Sequence, residues 1–194
     1  MRPFEYLVED NFFSETELAL IWDEISLLTS LNLFVPPNTY NSDFCKKTNK
    51  PTKKNHSFFL HDYYSDLSES NIVRSIDKVF NKAALLFSEL CFANRSILNT
   101  SRSTFLLSYY SNKDGYKLHT DNSVTTALYW LCREPRSFTG GDLYLSDLDE
   151  WVPFENNRLV IFPSQAFHSV STVESKQSIP DGFGRYCITQ FFSI

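Results

Sequence analysis

From residue 104 onward the chain is a series of short runs rich in aromatic and β-branched residues, separated by polar or glycine-containing segments. The clearest runs are TFLLSYY, VTTALYWL, DLYL, RLVIF and RYCITQFF, with WVPF and FHSVSTV as weaker ones. Runs of this length and composition are typical of β-strands. Since all five glycines also lie between these runs, we expect an antiparallel sandwich or barrel of about eight strands.

The first 103 residues carry two helical patterns instead. Ser14 and Glu17 have the spacing of a capping box, and an apolar stripe follows them. A second stripe, with steps of three and four over residues 72–90, predicts a long helix with one buried face. The sequence therefore predicts one α+β, mainly β domain over residues 1–194, with helical support and a loop in 1–103 and the β core in 104–194.

Residues 36–57 follow neither pattern. Two prolines open the segment, and it then carries five lysines, at positions 46, 47, 50, 53 and 54. We expect a long loop here, which is either a solvated surface excursion or a flap over an active site.

Composition excludes several classes of function. A net charge of −5 and a pI of about 5.4 argue against a nucleic-acid backbone as the main partner. The four cysteines are widely spaced and form no CxxC pair, which favours reduced thiols in a cytoplasmic protein over a cysteine-rich zinc site. Neither a signal peptide nor a membrane span is expected, because the N-terminal segment is acidic and no long uncharged apolar window exists.

Two of the four histidines stand out by their context. His119 is followed two residues later by Asp121, so in an extended chain both side chains project from one face. His168 follows the strong run RLVIF and a short turn, and a neighbouring strand of the same barrel could bring it to the pair. Two histidines and one carboxylate make the facial triad of non-haem Fe(II), although zinc accepts similar ligands. His56 and His61 are interpreted as solvated and structural, respectively.

Arg185 opens the last run and is the only arginine after His168. A buried arginine at this position could hold a carboxylate through two parallel hydrogen bonds. The alternative is an ordinary surface arginine at the start of a strand.

Four motifs together resemble the iron(II)/2-oxoglutarate dioxygenases, and within them the prolyl-4-hydroxylase-like branch. They are HTD at 119–121, GGDLYL at 140–145, NRLVIFPSQAFHSV at 157–170 and GRYCITQFF at 184–192. The resemblance is strong over residues 104–194, and the opening FEYLVEDNFFSETEL is also similar to the family's N-terminal strand and helix. It implies a double-stranded β-helix, a jelly-roll or cupin-like barrel, braced by the N-terminal helices.

The resemblance also implies the roles of the chemistry-bearing residues. His119, Asp121 and His168 would bind Fe(II), and Arg185 would pair with the distal carboxylate of 2-oxoglutarate. The further cofactor would be O2, with ascorbate supporting activity.

Three more residues are expected near the cosubstrate on the same grounds. Tyr109 matches a tyrosine that hydrogen-bonds the distal carboxylate, with Tyr110 as the neighbouring alternative. Thr126 and Trp130 alternate along one strand and would line or flank the cosubstrate pocket.

The activity that follows is hydroxylation of an aliphatic C–H bond, with decarboxylation of 2-oxoglutarate to succinate. A prolyl or other residue of a protein or peptide is the first substrate hypothesis, and a free amino acid or small metabolite is the alternative. A non-catalytic metal-binding barrel is the hypothesis of another class. The substrate, its regiochemistry and the oligomeric state are not encoded in any motif.

Overall fold

The computed structural model describes residues 2–37, 44–45, 50–176 and 178–194. These ranges contain two α-helices, α1 (Glu15–Ser30) and α2 (Asn71–Leu90), three short 3₁₀ segments and thirteen strands. The strands are β1 (Leu7–Asp10), β2 (Phe44–Cys45), β3 (Lys50–Pro51), β4 (Lys53–Lys54), β5 (His56–Phe59), β6 (Arg102–Tyr110), β7 (Gly115–His119), β8 (Thr125–Leu131), β9 (Leu143–Leu145), β10 (Glu150–Val152), β11 (Arg158–Pro163), β12 (His168–Val170) and β13 (Arg185–Ser193).

Two antiparallel sheets face each other. The major sheet has the order β1-β11-β8-β13-β6-β5, and the minor sheet has the order β10-β9-β12-β7-β4. Strands adjacent in sequence are often in different sheets, as in a jelly roll. The predicted fold class, a mainly β barrel with helices from the first half of the chain, is confirmed.

The major sheet is buried on both faces because successive side chains of a strand point in opposite directions. In β8, Ala127 and Tyr129 point toward the helices and join their apolar core, which includes Ile25 from α1 and Ile76 from α2. The alternate residues, among them Trp130, point into a second core between the two sheets. This second core is the one that surrounds the candidate site.

Helix α1 begins as its capping box predicts. The Glu17 N–H donates to Ser14 Oγ at 3.3 Å, and the Ser14 N–H donates to the Glu17 carboxylate at 2.8 Å. Further along, the buried Glu24 accepts hydrogen bonds from Ser70 Oγ (2.7 Å) and from the Ile72 N–H (2.8 Å). A carboxylate of α1 therefore binds the N-terminus of α2 and fixes the two helices against each other.

The expectation for residues 36–57 needs a correction at its C-terminal end. Residues 38–43 and 46–49 lie outside the described part of the chain. Beyond them, β4 pairs with β7 as the edge of the minor sheet, with Lys53 opposite Tyr116. This stretch is therefore an integral strand next to the candidate site and not a loop.

Cys91, Cys132 and Cys187 are free thiols. Within the described ranges, no helix combines the length and apolar character that a bilayer crossing requires.

Candidate metal and cosubstrate site

The structure brings together the three residues of the predicted facial triad. His119 ends β7 and His168 begins β12, and the antiparallel pairing of these strands places the two residues opposite each other. Asp121 follows β7 by two residues, with its carboxylate 3.7 Å from His119 Nε2 and 3.5 Å from His168 Nε2. One ligand atom from each residue lies within 4.8 Å of the other two, so the group could hold one metal ion.

Backbone carbonyls orient both imidazoles. His119 Nδ1 lies 2.7 Å from the Lys117 carbonyl oxygen, and His168 Nδ1 lies 2.9 Å from the Ala166 carbonyl oxygen. A neutral ring that donates from Nδ1 directs the lone pair of Nε2 toward the shared space. The two rings therefore present metal-binding nitrogens to the same point.

Burial shifts the pKa values of His119 and Asp121. Desolvation, together with the nearby His168, lowers the pKa of His119 to about 3, which keeps the imidazole neutral. Desolvation also raises the pKa of Asp121, against the opposing effects of His168 and of a hydrogen bond from Thr126. Two imidazoles and one carboxyl group, removed from water, form a donor set that a divalent cation would satisfy.

Arg185 supplies the positive end of the site from the first position of β13. The side chain is 1% exposed, and its Nε donates to the Gly141 carbonyl oxygen at 2.9 Å. Its two terminal nitrogens are buried and have no hydrogen-bond partner in the described part of the chain. Three rings surround the guanidinium carbon at 4.9–5.3 Å, those of Tyr110, Trp130 and Phe154.

One cavity joins the cationic and the metal-binding ends. His119, Asp121, His168 and Arg185 all line it, and apolar side chains such as Leu128 complete its walls. A buried guanidinium with two unsatisfied nitrogens is costly unless an anion binds it, and two parallel N–H groups match a carboxylate. The cavity is therefore suited to a small acid placed between Arg185 and a metal ion.

The structure places Tyr110, and not Tyr109, beside Arg185. In β6 the alternation of side chains turns Tyr110 into the cavity and Tyr109 toward the helices. The Tyr109 hydroxyl accepts a hydrogen bond from the Gly184 N–H at 3.2 Å. The expectation that Tyr109 contacts the cosubstrate is corrected in favour of the alternative, Tyr110.

Thr126 and Trp130 lie next to the cavity but do not line it, whereas Leu128 between them does. The Thr126 hydroxyl donates to Asp121 Oδ2 at 2.7 Å, so it orients the carboxylate. Trp130 is fully buried and stacks on Phe154, with its ring 5.3 Å from the guanidinium carbon of Arg185. Both residues support the site from behind, so they flank the cavity, which is one of the two placements expected for them.

Comparison with known proteins agrees with this geometry. A family model described as the 2OG-Fe(II) oxygenase superfamily matches residues 105–193, which contain the triad and Arg185. Residues 105–193 belong to the 2OG-Fe(II) oxygenase superfamily. The protein is therefore a 2-oxoglutarate-dependent dioxygenase, whose cofactors are Fe(II), 2-oxoglutarate and O2. Among curated protein sequences, none matches the chain significantly.

Solved structures of prolyl hydroxylases share the fold of this oxygenase. A prolyl hydroxylase from Trichoplax adhaerens, in complex with a peptide fragment of hypoxia inducible factor, is 16% identical, with a TM-score of 0.66 over 97% of this chain and 83% of that chain. A Pseudomonas putida prolyl-4-hydroxylase is 13% identical, with a TM-score of 0.64 over 99% and 94%. A viral collagen prolyl hydroxylase from Paramecium Bursaria Chlorella virus-1 is 12% identical, with a TM-score of 0.60 over 97% and 96%.

The residues of the oxygenase fit both cofactors. The imidazole and carboxylate donors of His119, Asp121 and His168 suit a divalent iron and leave coordination positions open. The two unpartnered nitrogens of Arg185 suit the distal carboxylate of 2-oxoglutarate. The fit of the iron and the fit of 2-oxoglutarate are therefore supported by two separate observations.

The residues of the oxygenase site that were not predicted from the sequence include Lys53, Tyr116 and Gly141. Lys53 and Tyr116 line the cavity, and the Tyr116 ring stacks on His119 with centroids 3.5 Å apart. Gly141, whose φ is +78°, lies so close to Arg185 that a Cβ there would be 2.6 Å from Arg185 Cδ. The motif GGDLYL contained a signal for Gly141, since paired glycines favour positive φ.

The remaining histidines lie outside the cavity, as expected. His56 is exposed in β5. His61 is about half exposed and contacts Asp62 at 3.6 Å.

Proposed function

We propose that this oxygenase hydroxylates an aliphatic C–H bond of a prolyl or other residue in a protein or peptide. One oxygen atom of O2 enters the C–H bond, the other enters succinate, and 2-oxoglutarate loses CO2. The observation that carries the proposal is the pair of buried, unpartnered Arg185 nitrogens that line the same cavity as the triad. In this proposal His119, Asp121 and His168 hold the iron and Arg185 holds the distal carboxylate.

Bound iron and 2-oxoglutarate supply the activation of O2, and the protein supplies position and environment. The Thr126 hydroxyl donates to Oδ2 of Asp121 and so holds the carboxylate beside the two imidazoles. Leu106, Leu128 and Phe191 line the cavity and exclude water from the reacting atoms. The Tyr110 ring lies against the guanidinium and keeps it aimed at the carboxylate.

Two observations support a peptide substrate. The Trichoplax adhaerens relative was solved with a peptide fragment bound. In the present protein a second cleft of about 330 Å³ adjoins the cavity and leads to Asp121, so a target side chain has a route to the metal position.

The test is iron-dependent succinate formation. The purified protein is incubated with Fe(II), 2-oxoglutarate and ascorbate, and succinate is measured with and without candidate peptides, together with the gain of one oxygen atom by mass spectrometry. His119→Ala is expected to abolish succinate formation, whereas the matched control His61→Ala retains it because His61 lies outside the cavity. Wild-type protein that forms no succinate would favour a metal-binding barrel without catalysis.

A further inference from the structure

Strand β13 presents a thiol to the cavity beside Arg185. Successive side chains of a strand point in opposite directions, so Arg185, Cys187 and Thr189 line the cavity, and the residues between them join the core beneath the helices. Cys187 is buried, and its Sγ lies 3.7 Å from Thr189 Oγ1. The thiol is therefore part of the wall of the space that suits the cosubstrate.

The guanidinium of Arg185 is close enough to the thiol to affect its ionisation. Burial raises the pKa of Cys187, and the Arg185 charge and the Thr189 hydroxyl lower it by a smaller amount. Both terminal nitrogens of Arg185 are buried and have no hydrogen-bond partner among the described residues. An anion that binds these nitrogens inside the cavity is therefore held next to Cys187 Sγ.

The other two free thiols of the described chain lie elsewhere. Cys91 follows the end of α2 and is partly exposed. Cys132 is buried, and burial together with the nearby Glu134 raises its pKa to about 12. Neither residue lines the cavity. A reagent that is recognised by Arg185 would therefore distinguish Cys187 from both.

We propose that Cys187 is a covalent modification site for unsaturated dicarboxylic acids of about the size of 2-oxoglutarate. One carboxylate of the acid binds Arg185, which places the carbon–carbon double bond beside Cys187 Sγ. The sulfur adds to one carbon of this bond, so the π bond breaks, an S–C bond forms, and the thiol proton ends on the neighbouring carbon. No group leaves, and neither an oxidant nor a reductant is needed. The inference rests on the proposed role of Arg185 as the carboxylate-binding residue.

Position, and not an activated thiolate, makes this reaction selective. A buried thiol with a raised pKa is a slow nucleophile, so a reagent without a binding site would react first with the more exposed Cys91. Binding of the acid to Arg185 converts a collision in solution into a reaction within one complex, which raises the effective concentration by orders of magnitude. The adduct would then occupy the place of 2-oxoglutarate and prevent its binding.

The experiment compares fumarate with its uncharged diester, dimethyl fumarate. The protein is incubated with either compound in the presence of Fe(II) and in the absence of O2, and mass spectrometry of its peptides measures the adduct on each cysteine. We expect fumarate to modify Cys187 at least about tenfold faster than Cys91, because Arg185 concentrates it in the cavity. The diester should show the reverse preference. Addition of 2-oxoglutarate should protect Cys187 and leave Cys91 unaffected.

Variants separate recognition from the reactivity of the thiol. Arg185→Gln should slow the addition of fumarate to Cys187 at least about tenfold, since the charge-assisted contact with the acid is lost. Lys176→Gln is the matched control, because Lys176 is an exposed cation outside the cavity. After removal of unbound acid, treated wild type should lose succinate formation in proportion to the adduct. Treated Cys187→Ser should keep the level of the same variant without treatment.

Four results overturn the inference. They are the absence of a fumarate adduct on Cys187, faster modification of Cys91 than of Cys187 by fumarate, addition to Cys187 at an unchanged rate in the presence of 2-oxoglutarate, and a wild-type rate in Arg185→Gln. Failure of the proposed function is separate, since it appears as untreated wild-type protein that forms no succinate. The adduct is measured by mass without turnover, so it still decides the role of Cys187.

Discussion

At the scale of single residues, Arg185 is the side chain that most depends on a ligand. Its guanidinium is almost completely buried, and only Nε has a hydrogen-bond partner among the described residues. Transfer of an arginine from water to such a position costs several kcal/mol unless an anion binds it. The surrounding rings offset part of this cost, but they leave the two terminal nitrogens without an acceptor.

Arg185→Gln is therefore expected to raise the KM for 2-oxoglutarate roughly ten- to a hundredfold, because a charge-assisted bidentate contact is lost. Addition of 2-oxoglutarate should raise the Tm of the wild type and leave that of the variant nearly unchanged. The control is Lys176→Gln, an exposed cation that does not line the cavity. A variant with wild-type KM would assign cosubstrate binding to another residue.

Thr126 is expected to act on the metal through Asp121. Thr126→Val removes the hydrogen bond to Asp121 Oδ2 and should weaken metal binding about ten- to a hundredfold, as loss of such supporting groups commonly does. Thr126→Ser keeps the hydroxyl and should bind metal nearly as the wild type does. Titration with Co(II), followed by absorption spectroscopy, measures both affinities. Equal cobalt affinity of the valine and serine variants would show that the hydrogen bond has no such role.

The site residues that could be predicted from the sequence either lie close together in the chain or are of a residue type that is rare in their part of it. His119 and Asp121 are two positions apart, and Arg185 is the only arginine that follows His168. The sequence could not show which of Tyr109 and Tyr110 faces the cavity, because a shift of one residue in register turns every side chain of a strand to the other face. Lys53 was missed because its place in the site depends on the pairing of β4 with β7, which is distant in sequence.

At the scale of secondary-structure elements, apolar composition decided which strands could be predicted. The runs that became β6, β8, β11 and β13 are buried and rich in aromatic and β-branched residues. Strand β7, with the sequence GYKLH, was missed because it is short, contains no β-branched residue and has no fully buried residue. It is nevertheless the element that positions His119, since its backbone pairs with both β12 and β4.

The turn before β9 controls the position of Arg185. In Gly141→Ala the new Cβ would lie 2.6 Å from Arg185 Cδ, so the guanidinium must move and the KM for 2-oxoglutarate should rise at least about tenfold. Gly182→Ala is the matched control, because Gly182 has the same φ of +78° but its new methyl group would meet only the Tyr186 hydroxyl, at an ordinary contact distance of 3.6 Å. Both variants should lose about 1–2 kcal/mol of stability from the positive φ. An equal rise in KM for both would mean that backbone strain, and not the contact with Arg185, causes the effect.

The capping box of α1 makes fold stability depend on pH. The Ser14 N–H and the Lys78 ammonium bind the Glu17 carboxylate and hold its pKa below the ordinary value of 4.5. The stabilisation by Glu17 is therefore complete above pH 4.5 and is lost as the pH falls through the lower pKa of the folded state. Ser14→Ala should cost about 1 kcal/mol at neutral pH.

Urea denaturation at several pH values measures this dependence. The difference in unfolding free energy between the wild type and Glu17→Gln should be largest near neutral pH and should shrink below about pH 4. Glu15→Gln serves as the control, since Glu15 is exposed at the start of the same helix. A difference that stays constant down to pH 2 would contradict the role of the Glu17 charge.

At the scale of the whole molecule, the site depends on the packing of both sheets. The minor sheet carries His119, His168 and Lys53, whereas the major sheet carries Thr126 and Arg185. The helices touch neither the metal group nor the cavity, but they cover the opposite face of the major sheet. A shift of the major sheet would therefore move Arg185 relative to the metal ligands.

This architecture predicts that residues 104–194 do not fold without the first 103. In the isolated fragment the outer face of the major sheet, including Phe105, Leu107, Tyr129 and Ile188, would lose its cover from α1 and α2. Each such side chain contributes about 1.5–3 kcal/mol when buried, and a whole domain is stable by only about 5–15 kcal/mol. The fragment should show no cooperative thermal transition and no Co(II) binding. The full chain should unfold in one cooperative transition and bind Co(II). A fragment that unfolds cooperatively and binds cobalt would establish the β core as an independent domain and reduce the helices to an accessory layer.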